Sequence, residues 1–213
     1  MTIAPTSAII ADFCGGSSNT TAMDVVMMIG VGLQKESDAV FFQYLGDEQK
    51  PSALMMPSGK PVYNFRNVQL VGIDIAEEIG EFKSTKLNVY LQAAESDNTI
   101  LVTSGLTTLW SQAVVTSFMG LFNSYDLSTP FTLNSWKGTS KMRPCFASVK
   151  IGETKITDDM MYNQLGDARG DRDYKKVETI MRDAVSILKH AINPQAVDVK
   201  VDEPAALPEN IDF

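Results

Sequence analysis

The sequence predicts a mainly β protein with flanking helices, built around a five-stranded sheet that closes into a barrel. Two observations favour this fold. Between residues 62 and 156, apolar and polar residues alternate over short stretches that are typical of half-buried strands. One stretch of helical period interrupts them after the third strand. The chain has 213 residues, a length that suits one sizeable domain or two small ones. Of these residues 44% are hydrophobic and 21% charged, which is typical of a soluble protein with a core.

The five predicted strands enclose one predicted helix, and their order identifies the type of barrel. The helix begins at Thr107 or Thr108 and ends near Phe122. The order strand, strand, strand, helix, strand, strand is that of an OB-fold barrel. Closure would bury the apolar face of every strand, and the helix would plug one end. An open α+β sheet with the same order is the alternative. The predicted strands span residues 68–78, 85–94, 99–104, 131–137 and 145–151.

Residues 1–61 precede the barrel, and we expect them to pack on it as an N-terminal extension. Within them, apolar spacing predicts a helix over residues 21–34. The apolar run 39–45 fits a strand or a helix equally well. Three prolines within residues 50–61 indicate a loop.

Two further segments follow the barrel. Residues 157–195 combine a polar loop, 157–170, with an amphipathic helix, 171–192, whose apolar residues recur at spacings of three and four. Residues 196–213 contain five acidic residues, one lysine and two prolines. This composition cannot bury a core, so we expect a flexible acidic tail.

Composition and motifs exclude several classes of function. Two distant cysteines and a single histidine, His190, provide no ligand pattern for structural zinc. The chain has no glycine-rich phosphate loop, no HExxH and no GxSxG, so we predict a protein without enzymatic activity or cofactor. The N-terminal sequence does not resemble a signal peptide, and no apolar run is long enough to span a bilayer. A cytoplasmic protein without a membrane partner is therefore expected.

One short basic segment stands out in a chain whose net charge is −8. It spans residues 137–150, directly after Trp136, and it contains Phe146; alternation places both aromatics on the polar face of their strands. A protein that binds single-stranded nucleic acid needs aromatic rings on which bases stack and cations that neutralise the phosphate backbone. Packing of both rings beneath the N-terminal extension or the long helix is the alternative. The segment contains four cations and no acid: Lys137, Lys141, Arg143 and Lys150.

The predicted nucleic-acid-binding residues extend beyond this segment. Tyr90 lies on the polar face of its strand, between Asn88 and Gln92. A further group lies at the mouth of the first strand. The complete candidate set is Tyr63, Phe65, Arg66, Tyr90, Trp136, Lys137, Lys141, Arg143, Phe146 and Lys150.

The topology of residues 62–156 and the tail end 208–213, PENIDF, together resemble the single-stranded DNA-binding proteins of bacteria and their phages. Those proteins join an OB-fold to an acidic tail whose last residue is often Phe. The resemblance implies sequence-independent binding of single-stranded DNA during replication, recombination and repair. It also implies docking of replication and repair proteins onto Ile211, Asp212 and Phe213.

The N-terminal extension, the helix at 171–192 and the short linker depart from the common bacterial pattern. These departures favour a divergent viral version, which would act in the host cytoplasm. The alternative function is a structural or assembly protein, for example of a virion, acting through protein interfaces. Its interfaces would be the methionine-rich N-terminal region and the long helix. A homo-oligomer is compatible with either function.

Overall fold

The structure is a computed structural model that describes residues 25–32, 38–45, 50–79 and 84–193. The predicted acidic tail lies outside these residues. The described chain forms nine strands and three helices. The strands are β1 (Val25–Val31), β2 (Phe41–Leu45), β3 (Lys50–Ala53), β4 (Asn64–Ile79), β5 (Ser84–Ala93), β6 (Thr99–Gly105), β7 (Phe131–Lys137), β8 (Cys145–Ile151) and β9 (Thr154–Ile156). The helices are α1 (Leu109–Ser124), α2 (Asp159–Gly170) and α3 (Tyr174–Ile192).

All nine strands belong to one mixed sheet, in the order β3-β2-β1-β6-β5-β4-β7-β8-β9. Only β1 and β6 run parallel; the other neighbours are antiparallel. The prediction of a mainly β protein with helices is confirmed. The five predicted strands correspond to β4 through β8, which lie side by side in the order β6-β5-β4-β7-β8.

The prediction that these five strands form a closed barrel needs correction. Closing five strands in this order would pair the two outer ones, β6 and β8. Instead β6 pairs with β1, and β8 pairs with β9, so the sheet continues on both sides. Alternation reveals which face of a strand is buried, but it does not identify the strand's neighbours.

The N-terminal extension contributes strands rather than the predicted helix. Residues 25–31 form β1 because a run rich in β-branched residues suits a strand that pairs with β6. The undecided run at 39–45 contains β2. The predicted loop contains β3, followed by a bridge between Met55 and Pro61. These segments therefore extend the sheet.

The helices begin at capping residues, one of which the sequence prediction missed. The Thr108 side chain accepts from the Ser111 amide at the start of α1, as predicted. The predicted polar loop at 157–170 is wrong, because it contains α2. The Asp158 carboxylate caps this helix by accepting from the Met161 amide at 2.7 Å. A short apolar stripe at helical spacing then faces the core: Met161, Leu165 and Ala168.

The helices share one core with the inner face of the sheet. Trp110 of α1 is fully buried, and its indole N–H donates to the Ser135 hydroxyl of β7 at 2.9 Å. Helix α3 packs on β4, and Arg182 forms an ion pair with Glu77 at that contact. Within the described ranges, the outer face of the sheet carries no helix. None of the three described helices is long and apolar enough to cross a membrane.

We expect Ser135→Ala to lower the free energy of unfolding by about 1–3 kcal/mol, because the buried Trp110 N–H would lose its acceptor. Urea denaturation of both proteins measures this difference. Ser140→Ala, at an exposed position of the β7–β8 loop, is the control and should change stability little. Equal stability of Ser135→Ala and the parent would contradict a structural role for this hydrogen bond.

Candidate nucleic-acid interface

The outer face of the β7–β8 hairpin carries polar and aromatic side chains in an ordered row. Trp136 lies opposite Phe146, Asn134 opposite Ser148, and Thr132 opposite Lys150. The residues between them face the core, as shown by the buried Leu133, Ala147 and Val149. The arrangement is the one that the alternation predicted.

Trp136 and Phe146 form a stacked pair on this face. Their ring centroids lie 6.0 Å apart and their planes differ by 21°, which is an offset parallel arrangement. A Cβ added to Gly138 would approach the Phe146 ring to 2.9 Å, so Phe146 lies against both Gly138 and Trp136. Trp136 is 46% exposed, and neither α3 nor the described part of the N-terminal extension buries it. One aromatic surface is therefore accessible, with Phe146 supporting it.

The four predicted cations do not form one cluster around this pair. Lys137 lies opposite Cys145 and directly follows Trp136 in β7, so these two side chains point to opposite faces of the sheet. The guanidinium of Arg143 binds the Asp38 carboxylate at 2.5 Å. The hydrogen bond and charge of Arg143 lower the pKa of Asp38, and the charge of Lys137 lowers it further. Arg143 and Lys137 therefore both lie close to the Asp38 carboxylate, whose position could not be predicted from the sequence.

The other two predicted cations lie at opposite ends of the hairpin. Lys141 is exposed in the loop. Lys150 is four residues from Phe146 along β8, a distance of roughly 13 Å at the usual strand rise. Lys150 therefore belongs to a different group of charges.

That group crosses the sheet on its outer face. Lys155 of β9 pairs directly with Lys150. On the other side of Thr132, Arg66 occupies a bulge, because Phe65 pairs with Leu133 whereas Val68 pairs with Phe131. Lys155 is missing from the predicted set. A signal was present, because the sequence Ile-Gly-Glu-Thr at 151–154 favours a tight turn, and Gly152 has a φ of +56°. We call Arg66, Lys150 and Lys155 the basic row.

Phe65 is not available to a nucleic acid, so its inclusion in the predicted site is wrong. It is fully buried, and its ring centroid lies 4.7 Å from that of Phe41 in the core. Position 65 has the same phase as Leu133, which faces inward. Tyr63 is 38% exposed at the end of this segment, and its backbone carbonyl accepts from the Ser135 amide.

Tyr90 lies on the outer face but apart from the aromatic pair, because β4 separates its strand from β7. Its ring packs against Gly72, where an added Cβ would approach it to 3.1 Å. Its hydroxyl donates to Asp74 at 3.2 Å, and Asn88 also donates to this carboxylate. Burial and the negative charge of Asp74 raise the pKa of Tyr90. A phosphate beside Tyr90 would be repelled by the Asp74 carboxylate.

A groove of about 520 Å³ lies beside the β7–β8 loop. Arg143 and Arg169 line it together with Met142 and Tyr174. Arg169 donates to the Gln112 side chain across the groove. Because of this contact, the Arg-Gly-Asp tripeptide at 169–171 does not present its arginine as a free surface loop. The predicted partner-binding residues Ile211, Asp212 and Phe213 lie outside the described residues.

In the part of the chain that the structure describes, no three histidine, cysteine, aspartate or glutamate side chains come together to hold a metal ion. The sequence matches no protein-family model and no curated protein, and the fold matches no solved structure.

The Asp38–Arg143 ion pair predicts a measurable titration. We expect the Asp38 carboxyl to titrate below the ordinary aspartate pKa of about 3.9, and Arg143→Met to return it towards that value. Because the folded-state pKa is lowered, the pair stabilises the protein above the unfolded pKa. This stabilisation is lost as the pH falls through the folded value. Carboxyl NMR titration of both proteins measures the shift. An ordinary pKa for Asp38 in the parent would contradict the contact.

Proposed function

We propose that this protein binds single-stranded DNA without sequence preference, through the outer face of the β7–β8 hairpin. The observation that carries the proposal is the exposed Trp136 ring, which is stacked on Phe146. The pair lies on the sheet face that carries no described helix, and Lys150 of the basic row is on the same strand as Phe146. Its role would lie in DNA replication, recombination or repair. No catalytic step is part of the proposal.

The arrangement supports binding by stacking and charge rather than by reading base edges. A base stacked on Trp136 would contribute about 1–3 kcal/mol, whatever the base, since every base has a π-face. The backbone would follow the hairpin towards Lys150. At a stacked spacing of about 3.4 Å, roughly four nucleotides would span the 13 Å between the aromatic pair and the basic row. Asn134 lies between the two ends and can hydrogen-bond to the strand, whereas Ser148 opposite it is buried.

We also infer that strands β4 to β8, with α1, are an opened relative of the OB-fold. Their order along the chain, three strands, a helix and two strands, supports this relationship. The antiparallel pairing of β4 with β7 supports it too, because it joins the strands before the helix to those after it. In a closed barrel, the free edges of β6 and β8 would pair with each other. In this interpretation, β1 pairs with that edge of β6 instead, and β9 pairs with that edge of β8.

Partner binding through the acidic tail is the second component of the proposal. In the segment 208–213, Ile211, Asp212 and Phe213 follow one proline and two polar residues. An aromatic side chain beside carboxylates can enter an apolar pocket with a basic rim on a replication or repair protein.

A structural or assembly function is the second candidate, and exposed apolar side chains on the helical layer favour it. Met160 and Tyr162 of α2 are 72% and 58% exposed, and Tyr174 and Ile187 of α3 are also exposed. Concentration-dependent assembly, measured by light scattering without nucleic acid, distinguishes this function from the first. Double substitution of Met160 and Tyr162 by serine would abolish assembly of this kind.

Trp136→Ala should weaken binding to a single-stranded oligonucleotide by about 1–3 kcal/mol, because the accessible stacking surface is lost. The melting temperature should change little, because the ring is half exposed. Gel-shift titrations with oligo-dT and with duplex DNA measure the effect and the preference for single strands. Tyr162→Ala removes an exposed aromatic from α2 and is the matched control. Equal affinity of Trp136→Ala and the parent would overturn the proposed interface.

Deletion of residues 208–213 should leave single-strand affinity equal or slightly higher, because it removes the acidic side chains of Glu209 and Asp212. Capture of replication or repair proteins by the immobilised protein should be lost, and Phe213→Ala should reproduce most of that loss. Pull-down and gel-shift assays measure the two effects separately. Loss of DNA binding on truncation would contradict the assignment of the tail to partner recognition.

A further inference from the structure

Two lysines face each other across the β8–β9 hairpin. Lys150 and Lys155 are direct partners in an antiparallel pair, where the side chains of opposite residues are close neighbours. Like charges in this position destabilise a sheet. Within the described residues, neither lysine forms an ion pair, either with Glu153 in the connecting turn or with another carboxylate. The two lysines therefore place like charges at directly opposite positions of the outer face, with no described ion pair to offset them.

A third cation lies on the same row. The bulge at Arg66 and Asn67 places two residues of β4 opposite Thr132, and Asn67 adopts a φ of +51°. Two strand spacings separate Arg66 from Lys150, roughly 10 Å between backbones. Long basic side chains can converge over that distance on one anionic chain. The neighbouring carboxylate, Glu95, accepts a hydrogen bond from Asn67 rather than from Arg66.

We propose that the basic row, Arg66, Lys150 and Lys155, is a clamp for consecutive backbone phosphates of a single strand. This inference rests on the proposed function and names the part of the surface that holds the backbone. A phosphate between Lys150 and Lys155 would accept from both ammonium groups, so repulsion in the free protein becomes attraction in the complex. Lysine contacts a phosphate as a flexible point charge, which suits binding to any sequence.

The clamp predicts that stability and binding change in opposite directions when Lys155 is replaced. Lys155→Gln removes the repulsion and should raise the melting temperature by on the order of 1 °C. Lys155→Glu creates an attractive pair with Lys150 and should raise it by roughly 2–4 °C. A residue with a merely structural role would lower it.

Binding to oligo-dT should weaken for both variants. We expect a loss of about 3–10-fold for Lys155→Gln near 0.1 M salt, and a salt slope shallower by about 0.7 for each phosphate contact removed. Lys155→Arg keeps the charge and should retain the affinity and slope of the parent. Lys175→Gln removes an exposed lysine from α3, which packs on the other face of the sheet. This control should leave the melting temperature, affinity and slope unchanged.

Inorganic tripolyphosphate separates failure of the clamp from failure of the proposed function. It should raise the melting temperature of the parent more than that of Lys155→Gln. If oligo-dT does not bind but tripolyphosphate gives this difference, the anion site stands and the single-strand function is overturned. If Lys155→Gln binds oligo-dT with the affinity and slope of the parent, or melts below it, the clamp is overturned while the role of Trp136 stands.

Discussion

The structure depends on covering one face of the sheet with helices while leaving the other face open. Trp110 sets this arrangement, because its buried indole fills the space beneath β7 and its N–H reaches the Ser135 hydroxyl. A strand presents successive side chains to opposite faces, so fixing Ser135 inward fixes Trp136 outward. The hydrogen bond in the core and the exposed aromatic ring are thus consequences of the same register. The hairpin's partner strand then places Phe146 beside Trp136.

The charge distribution explains how an acidic protein can present a surface that suits a polyanion. Several carboxylates are engaged by neighbouring side chains and lie away from the basic row. Asp74 accepts from Tyr90 and Asn88, and Glu77 binds Arg182. Local groups dominate the potential near a surface, because salt screens exposed charges beyond about 8 Å at physiological ionic strength. A net charge of −8 is therefore compatible with a positive strip across β4, β7, β8 and β9.

Where apolar residues alternate or recur with a clear period, strands and helices could be predicted directly from the sequence. Strands β7 and β8 have the bounds that alternation predicts, and Thr108 caps the helix before them. Residues 25–31 could not be assigned in this way, because pairing with β6, distant in sequence, determines their conformation. Helix α2 was missed because its apolar stripe is short among polar residues.

The candidate site could also be predicted only in part. Alternation along the two strands was enough to place Trp136 and Phe146 on one face, but the positions of the cations depend on which strands are neighbours. Lys155 lies beside Lys150 only because β9 turns back along β8. Phe65 was misassigned because a residue close to the start of an uncertain strand has no secure phase, and its ring belongs to the core.

The parallel pairing of β1 with β6 has a consequence for how the chain reaches this fold. Strands β4 to β6 and β7 to β9 form from neighbours along the chain, so their loops close at small entropic cost. The pairing of β1 with β6 must bridge the long segment that contains β2 to β5, and such distant contacts form slowly. Until β1 arrives, the backbone edge of β6 is open to pairing with another chain. Folding at high concentration would therefore favour aggregation through β6, and dilution or slow synthesis would suppress it.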